Sequence, residues 1–263
     1  MKKRVISAII MALICIPVIL VGGKLFMVAV GILGILAYKE IISIKGLDNY
    51  PKPVVVAGLV AMLLLTYSSR DALFNIIGID FRFFLISIML MLVPTIIFYD
   101  SKKYTTEDAF KLTGFVLFIG ISLNLLMNIF LYEVKYFILL VLICILTDTF
   151  AYFTGLAIGK TKVTKISPNK TREGFIGGIA MGTILSTIYY AVFIGTAPLY
   201  VSIPIIAILT VACEAGDLFF SAIKRDNKIK DFSNLIPGHG GILDRIDSLT
   251  FVIAMYIILY GLI

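Results

Sequence analysis

The stretch YFILLVLICILTDTFAYFTGLAI, residues 136–158, decides the class of the fold, because its only charged residue is Asp148. A helix that crosses a bilayer needs about 20 consecutive, mainly apolar residues. Eight further apolar segments share this character and lie at 5–21, 25–44, 53–67, 81–99, 112–131, 174–195, 199–222 and 249–263. The sequence therefore predicts an all-α integral membrane protein, a polytopic helical bundle with about nine transmembrane helices.

The composition excludes a soluble domain. Hydrophobic residues make up 60% of the 263 residues and charged residues 15%, whereas soluble domains are about half apolar and a quarter charged. The basic start at residues 2–4 and the apolar run 5–21 are also typical of a secretory signal peptide. No Ala-x-Ala-like cleavage site follows, so we expect a retained signal-anchor helix, with a cleaved peptide as the alternative.

The basic residues predict the orientation. If nine spans alternate from a cytoplasmic N-terminus, all but four of the 23 lysines and arginines fall on the cytoplasmic side; the exceptions are Lys24, Arg70, Arg82 and Lys135. The positive-inside rule requires this asymmetry. The net charge of +7 does not indicate nucleic acid as a partner, because no basic stripe with interleaved aromatic residues occurs outside the loops.

Most of the 16 acidic residues lie in loops or at helix ends, and three do not: Asp148, Glu214 and Asp217. A carboxylate in hydrocarbon is costly unless it is paired, hydrated or bound to metal, so each is a candidate functional residue. The alternative is a structural ion pair, for instance with a lysine of a neighbouring helix.

The second and third of these carboxylates share a helix face with Ser221 and Lys224, because positions 214, 217, 221 and 224 follow helical spacing. Arg225 lies beside this face. A face that changes from acidic to basic toward the cytoplasm favours a divalent metal at one end and phosphates at the other.

Two polar loops adjoin these segments. In the later loop three glycines surround the single histidine, His239, and glycine allows backbone N–H groups to approach an anion closely. Asp244 and Asp247 follow, one turn apart at the start of the last helix. In the earlier loop Ser167 and Thr171 are typical of a turn that caps the next helix. This loop is either a phosphate clamp or a basic anchor on anionic lipid.

The segments SAIKR, residues 221–225, and KDFSNLIPGHGGILDRID, residues 230–247, resemble the signature of the phosphatidate cytidylyltransferase family. Residues 148–174 resemble a second conserved stretch of that family, whereas the first 135 residues resemble it only in being hydrophobic spans. The resemblance implies transfer of CMP from CTP to phosphatidic acid with Mg²⁺, giving CDP-diacylglycerol and pyrophosphate. It also implies a homodimer in the plasma membrane, with an active site that faces the cytoplasm.

This chemistry requires charge neutralisation and alignment of two anions. We therefore expect Asp217 and Asp244 as metal ligands, supported by Asp148 and Asp247. The residues expected to hold phosphates or to bind substrate are Lys170, Lys224, Arg225, Arg245, Ser167, Thr171, Ser221, Gly240 and Gly241. His239 is expected to hydrogen-bond a phosphate or fix its loop rather than act as a base.

We expect residues 1–135 to form a scaffold of transmembrane helices, for lipid access or dimerisation, and residues 136–263 to carry the catalytic site. Two alternatives remain. A lipid kinase-like enzyme would share the lipid-phosphate chemistry. A cation-coupled transporter would also place carboxylates in spans, but it does not account for the polar signature loop.

Overall fold

The computed structural model describes residues 2–46, 49–68, 80–100, 102–164, 166–168 and 170–261. Within these residues the protein is all-helical and contains no strand, only two isolated bridges. The helices are α1 (Lys2–Val21), α2 (Gly23–Ser43), α3 (Lys52–Thr66), α4 (Phe81–Leu92), α5 (Pro94–Ile97), α6 (Thr106–Tyr132), α7 (Val134–Ile158), α8 (Arg172–Phe193), α9 (Leu199–Asp226) and α10 (Leu243–Leu259). Each predicted apolar segment forms a helix, which confirms the predicted fold class.

The fourth predicted segment differs in one respect, because it is divided into α4 and α5 at Pro94. Proline has no backbone N–H, and its ring disfavours helical conformation in the residue before it. Proline fits the first turn of a helix, and Pro94 accordingly begins the short α5. The segment is thus one apolar stretch with a break near its end.

Five helices are long and apolar enough to cross a membrane: α2, α6, α7, α8 and α9. Shorter apolar helices cover residues 9–21, 52–66 and 81–97. By length and composition the chain is therefore an integral membrane protein, while the count of nine spans stays a prediction. α9 has 28 residues and is about 42 Å long at 1.5 Å per residue, more than the ~30 Å hydrocarbon core of a bilayer.

The chain divides into two compact units. The N-terminal unit contains Met1–Tyr132 and Asp231–Asp244, and the C-terminal unit contains Glu133–Lys230 and Arg245–Ile263. The first boundary lies near the predicted division at residue 135. The later polar loop, which the sequence assigns to the catalytic half, groups with the N-terminal helices.

In the N-terminal unit α2, α3 and α6 pack against one another, α4 packs on α3 and α6, and α1 contacts α2. The rings of Phe26 and Phe130 are stacked with their centroids 3.6 Å apart. A Cβ atom at Gly58 would lie 2.0 Å from the hydroxyl oxygen of Tyr38. Glycine at this position therefore lets α3 approach the buried tyrosine of α2.

In the C-terminal unit α7 and α8 form the closest helix pair, and α9 packs on both. Gly174, Gly178 and Gly182 are spaced four residues apart on α8, and all three are buried. A Cβ atom at Gly178 would lie 2.8 Å from the Thr147 carbonyl oxygen of α7. Small residues at this spacing allow close packing of helices in membranes, which brings the polar ends of α7, α8 and α9 together.

Candidate active site

The loop between α7 and α8 is folded tightly onto the start of α8. The Thr171 hydroxyl accepts a hydrogen bond from Gly174 N at 3.1 Å and so forms the predicted cap of this helix. Glu173 accepts hydrogen bonds from the backbone N–H groups of Lys160 and Thr161 at 3.0 and 3.2 Å, and from the Thr161 hydroxyl. These bonds fix the backbone on which Lys170 is carried.

Lys170 is the centre of the site in the C-terminal unit. Its Nζ atom lies 2.6 Å from Glu214 Oε2 and 2.5 Å from Asp217 Oδ2. The exposed fractions of the Lys170, Glu214 and Asp217 side chains are 22%, 0% and 25%. One ammonium group thus joins two carboxylates that are one helical turn apart on α9. For Glu214 this is the ion pair that the sequence left open as an alternative, although the lysine comes from a loop.

Two opposing effects act on the pKa of Lys170. Burial acts to lower the pKa of the ammonium group, but the charges of Asp217 and Glu214 and their hydrogen bonds to Nζ outweigh burial and raise it above the ordinary 10.5. Lys170 is therefore a fixed positive charge at neutral pH, as a phosphate clamp requires.

Four other charged residues predicted for this unit are linked to this site by electrostatic interactions. Asp148 interacts electrostatically with Lys170, Asp217, Glu214 and Arg245. Asp247 interacts in the same way with Asp217, Lys224 and Asp148. One cluster therefore contains four carboxylates and three cations: Asp148, Glu214, Asp217, Asp247, Lys170, Lys224 and Arg245.

Three further predicted residues have contacts in this unit. The Ser221 hydroxyl donates to Asp217 Oδ1 at 3.5 Å, as their shared helix face predicts. The Arg225 guanidinium donates to the carbonyl oxygens of Ile166 and Ile229 at 3.3 and 3.2 Å. Ser167 lies in the loop before α8, where its carbonyl accepts from Lys170 N at 3.1 Å. Arg225 therefore ties the end of α9 to the two polar segments beside it.

The remaining predicted residues belong to the N-terminal unit and are described with it. Asp244 Oδ2 accepts hydrogen bonds from Phe232 N and Gly241 N, both at 2.9 Å. Gly240 has a φ of +84°, a left-handed conformation that favours glycine. His239 N donates to Ile236 O at 2.9 Å within the same turn. The two hydrogen bonds of Asp244 therefore organise the loop before α10.

The sequence did not single out Glu40, a buried residue near the end of α2. Its carboxylate accepts hydrogen bonds from the Ser233 hydroxyl at 2.7 Å and from Ile242 N and Leu243 N at 2.8 Å. One signal was present: Glu40 lies within the apolar run 25–44, yet near enough to its end to be read as a helix-end charge.

The donor set of the C-terminal unit fits a hard divalent cation, because Mg²⁺ prefers carboxylate oxygens. Glu214 is fully buried, and its Oε1 atom has no hydrogen-bond partner among the described residues. Among the described residues, no three His, Cys, Asp or Glu side chains form a ready metal-binding group. The Lys170 ammonium is paired with two of the carboxylates. The positive charge beside Glu214 and Asp217 is thus the ammonium group of Lys170.

Comparison with known proteins identifies the family of this chain. A sequence profile of the cytidylyltransferase family matches residues 2–263. The phosphatidate cytidylyltransferase of Bacillus subtilis (strain 168) is 33% identical over 270 residues, which cover 100% of this chain and 98% of that protein. The phosphatidate cytidylyltransferases of Staphylococcus aureus (strain COL) and Staphylococcus saprophyticus are 33% and 30% identical, each over 98% of both chains. The chain therefore belongs to the cytidylyltransferase family.

Proposed function

We propose that this protein transfers CMP from CTP to phosphatidic acid, giving CDP-diacylglycerol and pyrophosphate for phospholipid biosynthesis. The observation that carries the proposal is the cluster of four carboxylates and three cations contributed by α7, the loop before α8, α9 and the start of α10, in a chain whose residues are 60% hydrophobic. The relatives named phosphatidate cytidylyltransferase support it over nearly the whole chain.

The reaction joins two anions, so charge and alignment decide its rate. The phosphate of phosphatidic acid attacks the α-phosphorus of CTP in line, and pyrophosphate leaves. The second pKa of a phosphate monoester is about 6, so the nucleophile is already largely ionised at neutral pH. Neither a catalytic serine nor a strong general base is required, and positively charged groups must instead hold both phosphates in place.

The cations of the cluster have this role in the proposal. Lys170 keeps its proton and is anchored at a fixed point by Glu214 and Asp217. Lys224 and Arg245 belong to the same cluster, and Arg225 lies at the adjoining end of α9. Each of these cations is proposed to hold a phosphate group.

Hydroxyl and backbone groups complete the proposed substrate contacts. They are contributed by Ser167, Thr171, Ser221, Gly240 and Gly241, with His239 as a hydrogen-bond donor or a support of its loop. The Thr171 hydroxyl caps α8, so its contribution is to orient Lys170. The neighbouring Ser221 hydroxyl orients the Asp217 carboxylate.

We propose Mg²⁺ as the cofactor, held by Asp217 with Asp148 and Asp247 as supports from the same cluster. Asp244 stays a predicted ligand; its described contacts are the hydrogen bonds that organise its loop. When bound, Mg²⁺ would neutralise charge on the phosphates and make the α-phosphorus more electrophilic.

The proposed setting is the plasma membrane, with the N-terminus and the active site on the cytoplasmic side. The positive-inside distribution of lysine and arginine supports this orientation. We further propose a homodimer, and a catalytic part within residues 136–263 on a scaffold of residues 1–135. Because the loop 231–244 groups with the N-terminal helices, the scaffold also supports that loop.

The test is an assay of the purified full-length protein with radiolabelled CTP and phosphatidic acid, with and without Mg²⁺. We expect CDP-diacylglycerol, one pyrophosphate per lipid product, and dependence on the metal. The variant Glu107→Gln, at an exposed residue of α6, is the matched active control for Asp217→Asn. Phosphate transfer from ATP with release of ADP would instead indicate a lipid kinase, and no turnover of CTP would exclude the proposed reaction.

A further inference from the structure

Two buried carboxylates hold the loop that precedes α10. Asp244 accepts two hydrogen bonds from backbone N–H groups of the loop, and Glu40 of α2 accepts three from Ser233, Ile242 and Leu243. Asp244 acts within its own segment. Glu40, in contrast, comes from a helix about 200 residues earlier in the chain (the sequence separation is 202 for Ile242).

Both oxygen atoms of Glu40 are used. Oε1 accepts from the Ser233 hydroxyl and from Ile242 N, and Oε2 accepts from Leu243 N. The two N–H groups lie at the start of α10, where backbone donors lack helical partners and a negative charge is favourable. Glu40 thus caps α10 from a different helix.

The space around this contact leaves little freedom. A Cβ atom at Gly241 would lie 2.4 and 2.5 Å from the two carboxylate oxygens of Glu40. Ser7 of α1, also buried, donates to the carbonyl oxygen of Pro237 at 2.6 Å. The first two helices therefore hold the same loop at two points.

Packing alone does not explain a glutamate at this position. The neighbouring buried residues of α2 are Ala37, Tyr38, Ile41 and Ile42, and an apolar side chain would avoid the cost of removing a carboxylate from water. In exchange, Glu40 accepts a charge-assisted hydrogen bond from each of three donors in one loop. Its contribution is therefore to fix the backbone of that loop.

We infer that Glu40 is a positioning residue of the transferase reaction: it fixes the backbone of the loop 232–243, which carries Gly240 and Gly241, two of the residues proposed to bind substrate. This inference rests on the proposed catalytic role of the loop. It gives the N-terminal helices a direct part in the reaction rather than that of a passive scaffold.

The test compares Glu40→Gln with Asn124→Leu in the full-length enzyme. Glutamine turns one acceptor into an NH₂ donor facing an N–H or O–H donor, so the loop loses its fixed position. Asn124 is also a buried polar residue of the same unit, and its side chain donates to Thr66 O of α3 at 2.9 Å. It controls for a general loss of stability.

We expect Glu40→Gln to lower kcat by roughly ten- to a hundredfold, as misplacement of reacting groups does. Asn124→Leu should keep kcat within about twofold, even where it lowers Tm by as much as Glu40→Gln does. In hydrogen–deuterium exchange, peptides covering residues 233–243 should exchange at least about tenfold faster in Glu40→Gln and at the wild-type rate in Asn124→Leu.

Wild-type kcat in Glu40→Gln, or equal losses of kcat in the two variants at equal Tm, would overturn the inference. If Glu40→Gln cannot be recovered folded, Ser233→Ala removes one of the three donors to Glu40. This variant must show a smaller loss of kcat and a smaller increase in exchange of the loop, and wild-type kcat in it would also overturn the inference. If the wild-type protein makes no CDP-diacylglycerol, the proposed function fails, while the exchange experiment still decides whether Glu40 holds the loop.

Discussion

The ion pairs of Lys170 give the most direct physical test of the site, because they connect a partly exposed ammonium group to a fully buried carboxylate. Nζ lies 2.6 Å from Glu214 Oε2 and 2.5 Å from Asp217 Oδ2. The variant Lys170→Met keeps most of the side-chain volume but leaves the Glu214 carboxylate buried without its cation. We therefore expect the variant to lower both the stability of the folded state and the activity of the site.

The burial of the three groups sets the magnitude. Removing one partner of a buried ion pair costs about 3–5 kcal/mol. Lys170 and Asp217 remain 22% and 25% exposed, so solvent screens part of this cost, and we expect about 2–3 kcal/mol for Lys170→Met. For a chain of this length the change corresponds to roughly 4–12 °C in Tm, which thermal unfolding in detergent can measure.

A matched pair elsewhere provides the control. Lys111 and Glu107 are also 2.6 Å apart, but their side chains are 67% and 76% exposed. We expect no resolvable shift of Tm for Lys111→Met, because exposed ion pairs contribute little. The double variant Lys170→Met/Glu214→Gln should recover part of the lost stability, since the fully buried carboxylate that lost its cation is then removed as well. Equal shifts in the two lysine variants, or no recovery in the double variant, would refute the reasoning.

The sign of the pH dependence also follows from the site. Burial acts to lower the pKa of Lys170, but Asp217 and Glu214 raise it above the ordinary 10.5. A raised pKa in the folded state means that the stabilisation is present below the unfolded pKa and is lost as pH rises through the folded value. The difference in Tm between wild type and Lys170→Met should therefore persist to about pH 10 and shrink only above it. A loss between pH 7 and 9 would contradict this assignment.

Three further predictions concern metal, topology and proton transfer. Asp217→Asn should lower the rate on the order of a thousandfold at ~4 kcal/mol of lost metal stabilisation; near-normal activity at saturating Mg²⁺ would exclude Asp217 as a ligand. A cysteine at Asp226 should react with membrane-impermeant reagent only from the cytoplasm, and one at Thr196 only from outside, because α9 lies between them; the reverse pattern would invert the topology. His239→Gln should keep measurable activity and the acidic limb of the pH–rate profile near pH 6, set by the lipid phosphate; a loss of 10²–10⁴-fold with a flattened limb would instead show that the imidazole is a general base.

The apolar segments were predictable because each depends on local composition. Within the described residues all nine appear as helices, the fourth with a break at Pro94, while α6 and α10 begin about six residues before the predicted bounds. The cap at Thr171 and the contact between Ser221 and Asp217 were also within reach, since both depend on residues three or four apart. Patterns of this kind are encoded within one or two helical turns.

The partners of the isolated charges were not predictable in the same way. Lys170 and Glu214 are 44 residues apart, and Glu40 is 193 residues from Ser233. No spacing rule joins such residues, because their contact depends on how the helices pack. From the sequence alone the loop of Lys170 is therefore either a phosphate clamp or a basic anchor on anionic lipid, and Glu40 has the pattern of an ordinary charge at a helix end.

The structure also links the stability of the site to its proposed chemistry. Carboxylates near the membrane interior are costly unless they are paired, hydrated or bound to metal, and Lys170, Lys224 and Arg245 supply positive charge beside them before any substrate binds. The same cations are those proposed to meet the phosphates of two anionic substrates. Because these cations already have fixed partners, little reorganisation is required when the substrates arrive. A variant that removes one of them should therefore lose stability and activity together, whereas a variant of the exposed pair at Lys111 should lose neither.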